Sequence, residues 1–478
     1  MIDLPFYHGY SVAVMGLGKT GLATARALMA SGADVWAWDD HEDRRAAAGQ
    51  QEIPLVDLER CNWHEPVSLI LSPGIPHTFP EPHPVAALAR EQGIEIICDI
   101  ELLGRAQPDA NYIGITGTNG KSTTTALIGH VMALGGRNAQ VGGNIGEPVL
   151  LLEPAGSDGS YVLEMSSYQL ERTLSITFDV AVWLNISPDH LERHGGMDGY
   201  IAAKKNIFRR QTSPRTAVVG VDDEISQGIY EELRRAGDQD LIPISSTRPV
   251  EGGVYVVDGL LHDATGGKPI PAIDLGSIAS LPGAHNWQNA AAAYAACKAA
   301  GMPEAVITAC LRSFPGLAHR QELVEIVDGV RYVNDSKATN ADAAARALAC
   351  YERIHWIAGG QAKEGGLSGL EPFFPRIATA YLIGEAEEDF ATTLDGQVPV
   401  VRCGDLDQAV AAASKAATAE TGSGSDPVVL LSPACASWDQ FASFEARGAR
   451  FQELVRGLPG ERSTPEDGAP PLQQGDRA

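Results

Sequence analysis

The chain has 478 residues, more than one hydrophobic core serves, and this length suggests roughly three domains. Its 44% hydrophobic and 20% charged content is that of a soluble globular protein. A net charge of −25 excludes nucleic acid and anionic membrane surfaces as partners, because both need clustered Lys and Arg. Any anionic ligand must then be held by helix N-termini, a few basic side chains or metal ions. Seven scattered cysteines (Cys61, Cys98, Cys297, Cys310, Cys350, Cys403, Cys435), none in Cys-x-x-Cys spacing, indicate neither a zinc site nor a disulfide framework. The N-terminus lacks the order of a leader peptide and no apolar run reaches membrane-spanning length, so a reduced cytoplasmic location is expected.

From about residue 10 to 105, the apolar runs SVAVMG, ADVWAWDD, VSLILSPGI and IEIICDIELL alternate with helical stretches, which predicts a parallel sheet covered on both faces. Its first turn carries Gly16-x-Gly18-x-x-Gly21, and Asp39 and Asp40 end the next strand, where a ribose-binding carboxylate belongs. The motif alone favours a nicotinamide or flavin, with another nucleotide-like ligand or a purely structural turn as alternatives. LSPGIP at 71–76, with Ser72, either lines the same ligand or is an ordinary strand-ending turn. The polar segment RAQPDAN at 105–111 reads as a linker.

A second block runs from about 112 to 315, with strands at YIGITG, YVLEMS, VAVWLNIS and TAVVGVDD and a small β excursion at about 245–283. Its first turn, GITGTNGKSTTT, has the strand–loop–helix order of a phosphate loop. The glycine of the strict pattern is replaced by Ile115, and the glycines fall at 114, 117 and 120. Backbone N–H groups of Gly117, Thr118, Asn119 and Gly120 can cradle phosphate oxygens, Lys121 supplies a positive charge, and Ser122 or Thr123 a hydroxyl for Mg²⁺. Other strands of the block end at Glu164 and Asn185, the latter followed by Asp189, His190 and His194. In a parallel sheet such strand ends converge with the loop. A third αβ series follows the turn SFPGLAHRQE at 313–322, and the last 19 residues lack apolar periodicity, as a disordered tail does.

GITGTNGKSTT, GGNIGEP (142–148), LEMSSYQLE (163–171), NISPDHLERHGG (185–196), HNWQNAAAA (285–293), GLAHRQE (316–322), NDSKATN (334–340) and LLSPACASWDQF (430–441) together resemble the Mur ligases, ATP-dependent amide-bond ligases of peptidoglycan assembly. The family has the glycine spacing seen here. The resemblance implies an α/β chain of three domains: an N-terminal Rossmann-like parallel sheet (1–107) carrying a UDP moiety, a central phosphate-loop ATPase-like domain (108–315), and a C-terminal Rossmann-like domain (316–460) receiving the amino acid, followed by a tail (461–478). SSYQLE, NDSKATN and SPACASWDQF point within the family to the branch that adds D-glutamate to UDP-N-acetylmuramoyl-L-alanine through an acyl phosphate.

What the resemblance implies for single residues is equally definite. Gly117, Thr118, Asn119, Gly120, Lys121, Ser122 and Thr123 cradle ATP, with Asn289, Arg320 and Asp335 closing over the nucleotide. Two Mg²⁺ ions are held by Ser122, Glu164, His190 and a carbamylated Lys204. Lys121, Glu164, His190 and Lys204 form the catalytic set. Thr20, Asp40 and Ser72 line the UDP region, Asn144 and His190 the muramoyl-alanine end. Lys337, Thr339, Lys363, Ser437 and Phe444 receive D-glutamate. A monomer without nucleic-acid or membrane partners is expected, closing about hinges near 105–111 and 313–318. Alternatives are a sister ligase adding another amino acid, such as L-glutamate, and an NAD-dependent oxidoreductase.

Overall fold

The structure, a computed structural model, describes residues 1–363, 365–421 and 426–463. The first sheet is parallel throughout, in the order β2-β1-β3-β4, from β1 (Ser11–Met15), β2 (Asp34–Trp38), β3 (Ser68–Leu71) and β4 (Glu95–Ile97). The second contains β5 (Asn111–Thr116), β6 (Ala139–Gly143), β7 (Ser160–Glu164), β8 (Val180–Trp183), β9 (Thr216–Gly220), β10 (Asp240–Ser245), β11 (Val254–Val257), β12 (Leu260–Asp263) and β13 (Ile270–Asp274). They lie in the order β13-β12-β11-β10-β9-β8-β5-β7-β6, so the β excursion lengthens one edge of this sheet. Short runs such as SLIL in β3 and VAVW in β8 are buried at every position, as parallel strands covered on both faces must be.

These two sheets share one compact unit, residues 1–273 and 288–313, and one apolar cluster runs from Ile2 and Val12 through Tyr112 to Trp183 and Val219. The seam between them is anchored. Arg105, at the end of helix Asp99–Ala106, reaches both Glu95 oxygens at 2.8 Å and Glu101 at 2.9 Å. Glu101, fully buried, accepts the backbone N–H groups of Leu174 and Ser175 at 2.6 and 2.8 Å. Buried Arg172 donates across to the carbonyls of Leu71 and Ser72 at 2.8 and 3.4 Å.

The other unit comprises residues 274–287 and the chain from 314. Its sheet contains β14 (Glu322–Val327), β15 (Val330–Asn334), β16 (Ile354–Gly359), β17 (Ile377–Ile383), β18 (Val400–Gly404), β19 (Val428–Leu431) and β20 (Arg462–Ser463), ordered β18-β17-β16-β19-β15-β14-β20. Successive residues alternate between two cores. Trp356, Ala380, Leu382, Val428 and Leu430 belong to one, and Ile357, Tyr381, Ile383, Val429 and Leu431 to the other. Arg462 and Ser463 pair antiparallel with Val327 and Ile326, so strand pairing runs into the segment expected as a tail, whose residues 464–478 lie outside the described residues.

Candidate active site

The register of the second sheet sets Ile115 and Gly143 on either side of Glu164 at the carboxyl ends of β5, β6 and β7. The glycine loop leaves β5 and enters helix Lys121–Leu134 through Gly120, whose φ of 85° is left-handed. A Cβ at Gly120 would lie 2.1 Å from Asn289 Oδ1, so both conformation and crowding demand glycine. Asn289 therefore sits against the loop. Thr118 N–H donates to the carbonyl of Asn185 at 3.0 Å, and Asn119 N–H to the Asn185 side-chain oxygen at 3.0 Å. Lys121 Nζ folds back to the carbonyls of Gly117 and Thr118 at 2.9 and 2.8 Å. Ser122 is buried and Thr123 half-buried in the first helical turn.

Beside the loop lie the ionisable residues. Glu164 is 3% exposed; Oε1 accepts from Asn144 Nδ2 at 2.9 Å, while Oε2 is buried without a hydrogen-bond partner. A buried carboxylate oxygen in that state needs a cation or a donor, which fits a Mg²⁺ ligand. Lys204 is 1% exposed; its Nζ donates to the Gly117 carbonyl at 2.8 Å and lies 4.9 Å from the Tyr200 ring. Burial, then the Lys121 charge, holds the Lys204 ammonium well below its ordinary pKa, although Asp189 and Glu164 pull the other way. His190 has a left-handed φ of 51° and packs 5.3 Å from the Tyr168 ring. Burial, with Lys121, His194 and Lys204 adding to it against Asp189, lowers its pKa. Among the described residues no group of three or more His, Cys, Asp and Glu is poised for a metal. His194, in contrast, is a satisfied core residue: its ring nitrogens meet Glu171 and Ser167 at 3.0 and 2.9 Å.

At the first sheet the helix following the glycine turn packs so closely that a Cβ on Gly21 would lie 1.7 Å from the Gly16 carbonyl. Ser72 Oγ donates to that same carbonyl at 3.0 Å, which brings the strand-ending turn to the loop. Asp39 turns inward, accepting Leu17 N–H at 2.7 Å and His41 N–H at 2.9 Å. Burial opposes its charge, but these bonds and Arg44 outweigh it and hold the carboxyl below its ordinary pKa. Asp40 stays exposed and meets His83 at 3.0 Å, and Thr20 is half-buried in the helix's first turn.

In the other unit the ends of β15, β16 and β19 adjoin. Asp335 is buried, accepting Ser432 Oγ at 2.8 Å and Gln321 N–H at 3.2 Å; burial, against these bonds and Arg320, pushes its pKa up to about 7. Arg320 stands between His319 and Gln321, both left-handed at φ 62° and 44°, a strained arrangement of the kind found at functional sites. Lys337 Nζ lies 4.1 Å from the Phe444 ring, Thr339 N–H bonds the Lys337 carbonyl, and Ser437 is buried where the chain leaves β19. The Gln361 and Ala436 backbones exchange hydrogen bonds at 2.9 and 3.0 Å, which brings the exposed Lys363 segment alongside. Trp438 is 73% exposed.

Sequence reasoning missed the groups that hold these parts. Arg447, 1% exposed, donates to Ser336 and to the carbonyls of Ser336 and Cys435 at 3.0, 2.9 and 3.0 Å, so it ties the Lys337 and Ser437 segments together. Burial lowers its pKa to about 10. The available signal was an arginine three positions after Phe444 on the same helix face. Arg172 had none for its contacts to Leu71 and Ser72, which lie at the end of a strand in the first sheet.

A family model described as the Mur ligase middle domain matches residues 115–297, and another, the Mur ligase glutamate ligase domain, matches 319–435. The UDP-N-acetylmuramoylalanine–D-glutamate ligase of Rhodospirillum rubrum is 55% identical over 473 residues, covering 98% of this chain and 99% of the relative. That of Caulobacter sp. (strain K31) is 53% identical over 464 residues, covering 96% and 98%. The crystal structure of UDP-N-acetylmuramate–alanine ligase from Thermotoga maritima matches with a TM-score of 0.57 at 18% identity, over 93% of this chain and 99% of that one, a likeness of fold. Among the described residues no helix is long and apolar enough to cross a membrane.

Proposed function

The chain belongs to the Mur ligase family, whose members are ATP-dependent amide-bond ligases, and we propose that it joins D-glutamate to UDP-N-acetylmuramoyl-L-alanine as a cytoplasmic monomer in peptidoglycan precursor synthesis. The substrate pair follows from the full-length likeness to the Rhodospirillum and Caulobacter ligases. The observation that carries the chemistry is Glu164, a buried carboxylate with one unpartnered oxygen beside a phosphate loop and a buried lysine.

A carboxylate does not form an amide in water without activation. The γ-phosphoryl of ATP passes to the muramoyl-alanine carboxylate with release of ADP, and the D-glutamate amine displaces phosphate from the acyl phosphate. Both reacting groups are anions, so catalysis is positioning and charge neutralisation. The loop Gly117–Thr123 receives the phosphates through groups other than the Thr118 and Asn119 N–H, which Asn185 holds, with Lys121 supplying charge after leaving the loop carbonyls it meets now. Ser122 and Glu164 would hold one Mg²⁺, and Glu164, His190 and Lys204 the second. Bound there, Mg²⁺ would supply Lewis-acid neutralisation of negative charge. The depressed pKa of Lys204 favours the neutral amine, which adds to CO₂ with loss of a proton and becomes an anionic carbamate. Asn144 orients Glu164, and the Asn144 and His190 segments receive the muramoyl-alanine end.

Thr20, Asp40 and Ser72 receive the UDP moiety; inward-facing Asp39 is occupied by the loop it supports. Asn289, Arg320 and Asp335 serve the nucleotide. Lys337, Lys363, Thr339 and Ser437 offer a dicarboxylate two cations and two hydroxyls, with Phe444 against Lys337. The test is ADP formation with Mg-ATP and UDP-N-acetylmuramoyl-L-alanine across D-Glu, L-Glu, L-Lys and meso-diaminopimelate. Turnover confined to D-Glu is expected. Turnover with another amino acid overturns the pocket assignment, and none with any overturns the substrate reading.

A further inference from the structure

Asn185, two residues past β8, grips Asn119 of the phosphate loop from both sides. Its Oδ1 accepts Asn119 N–H at 3.0 Å and its Nδ2 donates to the Asn119 carbonyl at 3.2 Å. A carboxamide does this in one orientation only, since reversal sets donor against donor and acceptor against acceptor. That orientation is imposed from farther away. Asn185 Nδ2 also donates to Gln288 Oε1 at 3.2 Å, and Gln288 Nε2 donates to Asp222 Oδ2 at 2.8 Å. Asp222, two residues past β9, can only accept, and it is held by the Thr247 hydroxyl at 2.8 Å, the Ser246 N–H at 2.8 Å and the Ser245 hydroxyl. Facing an acceptor, Gln288 must present its NH₂ to Asp222 and its oxygen to Asn185. Asn185 must then present its oxygen to the loop N–H.

We propose that Asp222 is a positioning residue for phosphoryl transfer: it sets the polarity of an Asp222–Gln288–Asn185 relay that keeps the Asn119 N–H turned into the protein and the phosphate loop in its receiving shape. The proposal rests on the reading of Gly117–Thr123 as the ATP phosphate loop. The Thr118 N–H, donated to the Asn185 carbonyl at 3.0 Å, is committed to the same residue, so both central loop amides depend on it. Gln288 is 8% exposed, which leaves little water to take over if the relay breaks.

Asp222→Ala leaves Gln288 without the acceptor that fixes it and removes the directional constraint. The expected result is an ATP KM raised about tenfold, with the KM values for the other two substrates within about twofold. Hydrogen exchange at 117–121 accelerates in the nucleotide-free protein. Asp222→Asn keeps the direction: the Ser246 N–H, bonded to the same oxygen as Gln288 Nε2, holds the introduced carboxamide oxygen there and leaves its NH₂ to the Ser245 and Thr247 hydroxyls. It should recover both loop protection and ATP KM.

An unchanged ATP KM in folded Asp222→Ala, an Asp222→Asn variant no better than Asp222→Ala, or exchange that accelerates throughout the unit would each overturn the proposal. Should Asp222→Ala not fold, Gln288→Met, which removes both relay bonds at similar length, must reproduce the ATP-specific loss. If wild-type protein binds no ATP, the loop reading fails instead, while the exchange comparison still reports whether the relay holds the loop.

Discussion

Gly16–Gly21 after β1 and Gly117–Gly120 after β5 are both glycine turns feeding a helix from the end of a parallel strand, and they differ in what the neighbouring strands bring to them. Beside the first, Asp39 is spent on Leu17 and His41 N–H groups and Ser72 on the Gly16 carbonyl, so the side chains brace the turn. Beside the second, Glu164 keeps an unpartnered oxygen and Lys204 is buried with a depressed pKa. A shared turn geometry thus suits either a held diphosphate or a reacting one. What separates them is whether an adjacent carboxylate is satisfied by the protein.

The largest effect that sharpens this contrast is Glu164→Gln. Turnover should fall on the order of a thousandfold, with melting temperature little changed, if the lost charge is that of a cation ligand as proposed. ADP release at saturating substrates checks it; near-normal turnover would equate Glu164 with Asp39. A second buried strand-end carboxylate, Asp335, has both oxygens partnered and its pKa raised to about 7. A raised pKa means the folded state holds the proton more tightly. Its contribution to stability is full below the ordinary value of 3.8 and is lost as pH rises through about 7. Asp335→Asn should flatten that fall, leaving the variant the more stable protein at pH 8 by a melting difference on the order of 5 °C. Parallel curves for the two proteins from pH 4 to 8 would show that Asp335 does not titrate in this window.

The local half of this picture was legible in the sequence. SLIL, VAVW and VVLL announce strands because both faces are buried, and TNGKST announces its loop because every participant is within a few residues. What stayed hidden is long-range. Arg172 meets Leu71 across 101 residues, Arg447 meets Ser336 across 111, and Gln288 meets Asp222 across 66, and no pattern in one chain records such pairings. Adjacent residues mislead for a different reason: Asp39 and Asp40 look alike in sequence, yet alternation along an extended chain buries one and exposes the other. The segment 105–111 reads as a linker from Pro and polar residues, while its Arg105 is the anchor of three short hydrogen bonds.

Asp39→Asn should be smaller in effect than Glu164→Gln and of another kind. It should lower stability by about 2 kcal/mol, through weakened charge-assisted bonds to Leu17 and His41, and raise the KM for the UDP substrate while sparing kcat. Chemical denaturation and a KM-against-kcat split measure both. A kcat collapse would mean the first turn takes part in the reaction.

The smallest expected effect bears on the lysines of the two turns. Lys121 folds over its own loop, whereas Lys19, exposed at the start of the first helix, donates to the Gly146 carbonyl at 3.0 Å and lies 3.5 Å from Glu147. Both partners of that ion pair are about two-thirds exposed, at 66% and 64%, so the pair is screened, and Lys19→Ala should cost no more than about 0.5 kcal/mol. If the pair holds Lys19 away from the UDP region, the KM for the UDP substrate should change less than about threefold and show little salt dependence. A tenfold, salt-sensitive rise confined to that substrate would mean that Lys19 leaves Glu147 for the diphosphate. The first turn would then use its lysine as the second uses Lys121, and the difference between the turns would lie in Glu164 and Lys204 alone.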